Sequence, residues 1–195
     1  MSGPLVRPGG EERSVLGSAA RYLLRSVLLA RDADLSARTP CPDWNLGDLL
    51  RHVRASLEDL TGVLIASEPP YARGPEPDAE PVAAIRARLV DLVVAWAFVL
   101  PGDRWCEVGD RRVQAEIVVY TAATEMVVHG WDISQSCGAQ HLIPAELARS
   151  LLAVSRPLVE AGAGVRAFAT SLSSPATATP GERLLALFGR SPDSR

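Results

Sequence analysis

The sequence contains no lysine, so all 20 of its basic residues are arginine, and its 23 acidic residues leave a net charge of -3. A chain with this balance presents no strong positive field to attract a polyanion or an anionic membrane surface. We therefore expect neither nucleic acid nor a membrane among its partners.

Cysteine is also scarce. Cys41, Cys106 and Cys137 are odd in number and widely spaced, and no two of them form a CxxC pair. This pattern predicts neither a disulfide framework nor a four-cysteine zinc site, and it favours a reducing compartment. The sequence shows no signal-peptide pattern and no apolar run of the ~18 residues that span a bilayer. We expect a cytoplasmic protein.

The chain nevertheless has enough apolar sequence for a core. It is 195 residues long, 47% hydrophobic and 22% charged. A domain of this size buries about 70% of its unfolded surface without disulfides. We predict one domain over residues 1–195, with a flexible start at about 1–10 and a proline-rich loop at 69–81.

Apolar residues recur every three or four positions along most of the chain, which predicts an all-α fold. The fourth predicted helix is apolar nearly all round and should be central, and the second and third should pack as a hairpin. Asn45 followed by Asp48 indicates the start of the second helix. The predicted helices cover about residues 11–31, 46–64, 82–100, 112–136, 144–155 and 180–187.

Two polar residues on the central helix need a partner. Glu125 and His129 are four residues apart, so their Cβ atoms lie roughly 5–6 Å apart on one face. A buried carboxylate is costly unless it is paired, and a metal ion could compensate both groups. A hydrogen-bonded polar couple is the alternative. His52 lies off the centre of the second helix's apolar stripe, where it could join them or stay half-exposed without a partner.

Three segments resemble one family. Residues 39–45 leading to 48–53, residues 125–133 and residues 181–190 are similar to motifs of the mycothiol-dependent maleylpyruvate isomerase N-terminal family, in the DinB-like superfamily. The last segment resembles the tail of a metal-binding subgroup. These matches occur in the family's order and span most of the chain.

The resemblance implies a DinB-like four-helix bundle with additional short C-terminal helices, and metal ligands at His52, Glu125 and His129. Three protein ligands leave an open position, which favours zinc, with iron, nickel or manganese as alternatives. The family's thiol is mycothiol. Asp132 could accept the outer N–H of a liganding histidine, or the Gly130–Asp132 segment could simply end a turn.

We accordingly expect a metal-dependent isomerase or thiol transferase acting on a small molecule, in which the metal activates a thiol or polarises a carbonyl. Maleylpyruvate isomerases of this family carry a further C-terminal domain, for which 195 residues leave no room. The resemblance thus supports thiol binding more strongly than that particular isomerisation. The alternatives are a thiol-independent metalloenzyme of specialised metabolism, catalysing hydrolysis, cyclisation or rearrangement, and a noncatalytic metal-binding protein that forms a homodimer.

Other polar candidates have simpler explanations. Cys41 could be a nucleophile, but its proline-rich turn favours a packing role. Trp44 is expected to anchor the entrance of the second helix, and His141 to lie on the surface. Three arginines, Arg104, Arg111 and Arg112, could hold an anionic substrate or form a solvated charged run.

Overall fold

The structure is a computed structural model, which describes residues 10–41, 43–65, 80–98, 105–160 and 171–191. These residues form six helices and one two-stranded antiparallel hairpin. The elements are α1 (Gly10–Leu29), α2 (Leu46–Leu64), α3 (Pro81–Phe98), β1 (Trp105–Val108), β2 (Arg111–Gln114), α4 (Ala115–Ser136), α5 (Ala145–Glu160) and α6 (Pro180–Leu187).

The start of α2 follows from local hydrogen bonding. The Asn45 side chain accepts a bond from the Asp48 backbone N–H, and the Asp48 carboxylate accepts one from the Asn45 N–H. This reciprocal cap satisfies two backbone donors that a helix start otherwise leaves unpaired, as the sequence predicted. Just upstream, the Thr39 hydroxyl contacts the backbone oxygens of Cys41 and Trp44, both at 2.9 Å. The turn therefore presents Cys41 and Trp44 in a fixed arrangement beside α2.

The first four helices form the bundle. Helix α1 packs along α4, and α2 packs against both α3 and α4, so the predicted packing of the second helix against the third is confirmed. The fold is an all-α, DinB-like four-helix bundle, and α5 and α6 add to it. At Gly130 of α4, an added Cβ would lie 3.1 Å from the Tyr22 ring. The absence of a side chain at Gly130 thus allows α1 and α4 to approach closely.

Helix α4 is the central element. Most of its length is buried on all sides, including the polar residues Thr124, His129, Asp132 and Ser134. Burial of so many polar groups is tolerated only where each finds a partner. The central position of α4 therefore concentrates the chemistry of the molecule along one helix.

Two predicted helix boundaries are wrong. The fourth helix begins at Ala115 and not near Arg112, because Arg111–Gln114 pairs as a strand with Trp105–Val108 around Gly109, whose φ is 62°. The fifth helix continues beyond residue 155 to Glu160, with Pro157 inside it. Beyond the proline, Val159 packs against the core, which is a tertiary contact that helix propensity does not include.

Two further predictions concern residues that the structure leaves largely undescribed. Residues 1–9 and 66–79 lie outside the described residues, so the flexible start and most of the proline-rich loop stay predictions. The end of that loop is described, and Pro81 already belongs to α3. In the described part of the chain, no helix combines the length and the apolar character needed to cross a membrane.

Candidate metal centre

The structure brings His52, Glu125 and His129 together. His52 projects from α2, while Glu125 and His129 stand one turn apart on α4. Glu125 Oε2 lies 3.2 Å from His129 Nε2 and 3.6 Å from His52 Nε2. The two imidazole rings meet edge to face, with their centroids 4.9 Å apart. Three potential donor atoms from two helices therefore face one small volume.

The donor set fits a divalent metal ion. Ligands bonded to a tetrahedral zinc ion at about 2.0–2.1 Å lie roughly 3.3 Å from each other, close to the spacing of Oε2 from the two imidazole nitrogens. Moreover, Glu125 Oε2 is buried and accepts no hydrogen bond of normal geometry from the residues that the structure describes. Because a buried carboxylate oxygen without a good donor is costly, a cation between these atoms would compensate it. The residues present thus match the chemistry of the expected group.

The protonation equilibria of the cluster are strongly coupled. Burial alone would raise the pKa of Glu125, but His129 and His52 outweigh it and lower this pKa from 4.5 to about 2. Burial would likewise lower the pKa of His129, but its contacts with Asp132, Cys41 and Glu125 raise it well above 6.5. The contacts with the two imidazoles thus favour the ionised form of Glu125, and the contacts with the acidic groups favour the protonated form of His129.

The other ring nitrogen of His129 faces a second group of residues. His129 Nδ1 lies 3.0 Å from Asp132 Oδ2, and Arg190 donates to both Asp132 oxygens, over 2.9 Å to Oδ2 and 3.3 Å to Oδ1. The Arg190 Nη2 atom also lies 2.9 Å from Cys41 Sγ. These contacts join the turn before α2, the end of α4 and the segment after α6.

Cys41, His129 and Asp132 also have the spacing of a metal-ligating group. Here, however, the Arg190 guanidinium already contacts both the Asp132 carboxylate and the Cys41 sulfur. A metal ion at the same place would have to sit beside this fixed positive charge, which Coulomb repulsion disfavours. The cluster of His52, Glu125 and His129 is therefore the better candidate for a metal ion.

A small space lies next to Glu125 and His129, two of the three donors. A cavity of about 10 Å³ is bordered by Glu125, His129 and Ser56 and by the apolar side chains of Val53, Leu57 and Met126. That volume holds about one water molecule. On another side, the Trp44 ring lies 4.5 Å from the His52 ring and 6.1 Å from the His129 ring. A water-sized space lined largely by apolar groups therefore lies beside Glu125 and His129, and the Trp44 ring lies against the two imidazoles.

Two residues have surroundings that sequence reasoning did not predict. Cys41 contacts the buried Asp132–Arg190 ion pair, whereas apolar packing was expected. His141 is not a plain surface residue, because it is half-buried, stacks on Tyr22 at 4.2 Å and lies 2.9 Å from Ser26 Oγ through Nδ1. Its partners lie 115 and 119 positions away along the chain, so no local pattern indicated them.

Arg190 is the functional candidate that sequence reasoning missed. It entered only as the last residue of the tail motif, although a buried arginine needs a carboxylate partner and Asp132 was already a candidate. Of the three arginines weighed as anion contacts, Arg112 lies over the Trp105 ring at 5.2 Å. Arg111 is exposed on β2, and Arg104 lies outside the described residues.

The fold and the donor cluster together define a DinB-like helical bundle with a candidate metal centre between α2 and α4. Residues 16–134, more than half of the chain, match the family described as the mycothiol maleylpyruvate isomerase N-terminal domain. The chain belongs to this family. The matched region contains all three candidate ligands and Asp132.

Two Mycobacterium tuberculosis proteins are similar to the chain along most of its length. They are Uncharacterized protein MT0763 of strain CDC 1551 / Oshkosh and Uncharacterized protein Rv0738 of strain ATCC 25618 / H37Rv. Each is 29% identical over 174 residues, which cover 85% of this chain and 91% of the relative. No solved structure matches the chain significantly.

Proposed function

We propose that this protein is a metal-dependent enzyme of thiol chemistry, an isomerase or thiol transferase, with His52, Glu125 and His129 holding a divalent ion. Zinc is the favoured ion because two imidazoles and one carboxylate are a common catalytic zinc set that leaves a coordination position open. The proposal depends above all on one observation, the approach of Glu125 Oε2 to both imidazole Nε2 atoms at 3.2 and 3.6 Å.

Membership of the mycothiol maleylpyruvate isomerase family supports a low-molecular-weight thiol, mycothiol itself, as the cosubstrate. A bound zinc ion supplies Lewis acidity and lowers the pKa of a thiol in its coordination sphere. The chain's own residues supply the environment for that chemistry. Val53, Leu57 and Met126 line the cavity beside Glu125 and His129, and its size leaves room for only about one water molecule there.

Neighbouring side chains also hold the two histidine donors in position. The Trp44 ring packs on His52, and the Asp132 carboxylate lies at the outer nitrogen of His129, so each imidazole has a neighbour that restricts its rotation. Restricting ligand rotation before binding reduces the entropy that is lost when an ion is captured. This arrangement supports a preorganised centre.

Elemental analysis of protein purified without chelators, followed by titration calorimetry with mycothiol, tests the proposal. We expect about one metal ion per chain and thiol binding that requires the metal. His129→Ala should abolish both, because it removes one of three ligands. Replacing the remaining histidine, in His141→Ala, provides the control, since His141 contacts Tyr22 and Ser26 of α1 and the variant should keep its metal.

The outcomes separate the alternatives. Metal binding without thiol binding would contradict the thiol chemistry and favour a thiol-independent metalloenzyme. A metal content far below one ion per chain, together with unchanged properties of His52→Ala, would contradict the metal centre itself.

A further inference from the structure

We propose that Arg190 is a positioning residue for the metal centre, which fixes His129 through Asp132 so that Nε2 faces Glu125 and His52. This inference rests on the proposed function, because it assigns a role toward the same ion. Arg190 lies in the segment after α6, far from His52 in the sequence.

The first step is the contact between Arg190 and Asp132. Arg190 donates through Nη2 to Asp132 Oδ2 at 2.9 Å and through Nε to Oδ1 at 3.3 Å. Two donors on two oxygens fix the plane of the carboxylate as well as its position. Asp132 is 0% exposed and Arg190 5% exposed, so solvent does not loosen this pair.

The second step leads from Asp132 to His129. The oxygen that receives the shorter Arg190 contact, Oδ2, also lies 3.0 Å from His129 Nδ1. A carboxylate at this place favours the ring form with a proton on Nδ1, and it leaves Nε2 as the donor atom for a metal. Orientation of the imidazole therefore depends on the orientation of the carboxylate, which Arg190 sets.

The third step concerns how Arg190 is itself held. Its Nη1 atom donates to the Phe188 backbone oxygen at 2.8 Å, and its backbone N–H donates to the Leu185 oxygen at 2.9 Å. Phe188 is only 2% exposed, so the turn after α6 is anchored in the core. These two hydrogen bonds hold the guanidinium in position before a metal ion binds, so no ordering of Arg190 is needed on binding.

A purely structural role, in which Arg190 only fastens α6 to the bundle, is the competing explanation. It predicts that replacing Arg190 lowers stability and leaves the metal centre of the folded protein unchanged. A positioning role predicts a change at His129 in protein that remains folded. The two explanations therefore differ in what happens to His129 Nδ1.

The test compares Arg190→Gln, Arg190→Lys and the control Arg183→Gln in the full chain. Arg183 is an exposed arginine of α6 that donates to the Ala176 backbone oxygen, whereas the Asp132 carboxylate is fully buried and accepts from Arg190. Zinc affinity is measured by competition with a chelator, the geometry by the visible spectrum of the cobalt-substituted protein, and the His129 ring form by nitrogen-15 NMR.

For folded Arg190→Gln we expect about 10- to 100-fold weaker zinc binding, the usual effect of removing a group that supports a metal ligand. We also expect an altered cobalt spectrum and, in metal-free protein at a pH where the His129 ring is neutral, a smaller fraction of the tautomer with the proton on Nδ1. Arg190→Lys keeps the positive charge without the two-pronged geometry and should fall between Arg190→Gln and the wild type. Arg183→Gln should bind zinc within about twofold of the wild type.

Unchanged zinc affinity and an unchanged His129 ring form in folded Arg190→Gln would overturn this inference alone. If Arg190→Gln does not fold, Arg190→Lys decides the question by the same measurements, and wild-type values there would overturn it as well. A wild-type chain that binds no zinc would instead overturn the proposed function. The two failures are thus distinguishable.

Discussion

The two sides of the His129 ring carry similar donor groups but differ in charge compensation. On the Nε2 side, Glu125 Oε2 lies near His52 Nε2. This oxygen accepts no well-formed hydrogen bond from the described residues. On the Nδ1 side, Asp132 and Cys41 already contact a guanidinium. Donor identity and spacing therefore do not by themselves define a metal site, because a positively charged side chain such as Arg190 can neutralise the same acidic groups.

Glu125→Gln should have the largest effect on zinc binding, because it alters a proposed ligand on the Nε2 side of His129. The amide keeps the size of the side chain but removes the negative charge and the anionic donor. We expect zinc affinity to fall by more than about 1,000-fold, beyond the range seen for supporting residues. Chelator competition measures it, and Glu107→Gln, which alters an exposed glutamate of β1, is the control. Retention of near wild-type affinity would contradict ligation by Glu125.

Asp132→Asn removes the carboxylate on the Nδ1 side of His129. It leaves Arg190 buried without its carboxylate, and loss of one partner from a buried ion pair costs about 3–5 kcal/mol. We expect that decrease in the unfolding free energy of metal-free protein, measured by urea denaturation. A loss below about 1 kcal/mol would show that the Nδ1 side is less well compensated by this pair than its geometry indicates.

The pH dependence of zinc binding tests both sides of the ring together, because groups on both sides raise the pKa of His129. The raised pKa of His129 means that its proton stabilises the metal-free fold below the unfolded pKa near 6.5, and this contribution is lost as pH rises through the folded pKa. Zinc must displace that proton. We therefore expect zinc affinity to rise by up to about tenfold per pH unit between about pH 6 and 8.

Asp132→Asn provides the comparison for that pH dependence. The hydrogen bond with Asp132 is the largest of the contacts that raise the His129 pKa, after the opposing effect of burial. Its removal should make zinc affinity less dependent on pH. An identical slope in both proteins would contradict the coupling of the two sides through the His129 ring.

Cys41→Ala should have the smallest effect. The sulfur lies 2.9 Å from Arg190 Nη2 and 3.4 Å from Asp132 Oδ2, on the compensated side. We expect the same zinc stoichiometry and an affinity within about threefold of the wild type, because the ligands on the Nε2 side are unchanged. Loss of zinc in Cys41→Ala, with zinc retained in His52→Ala, would place the ion on the opposite side of the ring.

Much of the candidate site was predictable because its residues lie at helical spacing. Glu125 and His129 are one turn apart, and His129 and Asp132 are three residues apart, so their proximity follows from helix geometry alone. The start of α2 was predictable for a related reason, since Asn45 forms a reciprocal cap with Asp48, and the structure shows the same kind of cap between Thr179 and Glu182 at the start of α6. The hairpin at Trp105–Gln114 was missed because its two strands have only four residues each.

By itself, the sequence determined the helical architecture and the polar spacing along α4, because periodic burial and hydrogen bonding within one helix are local properties. Only the tertiary structure decided which side of His129 carries a built-in cation. Arg190 lies 58 positions from Asp132 and 149 from Cys41 in the chain. The position of one charge relative to another depends on distance through space, which helix spacing does not determine across such separations.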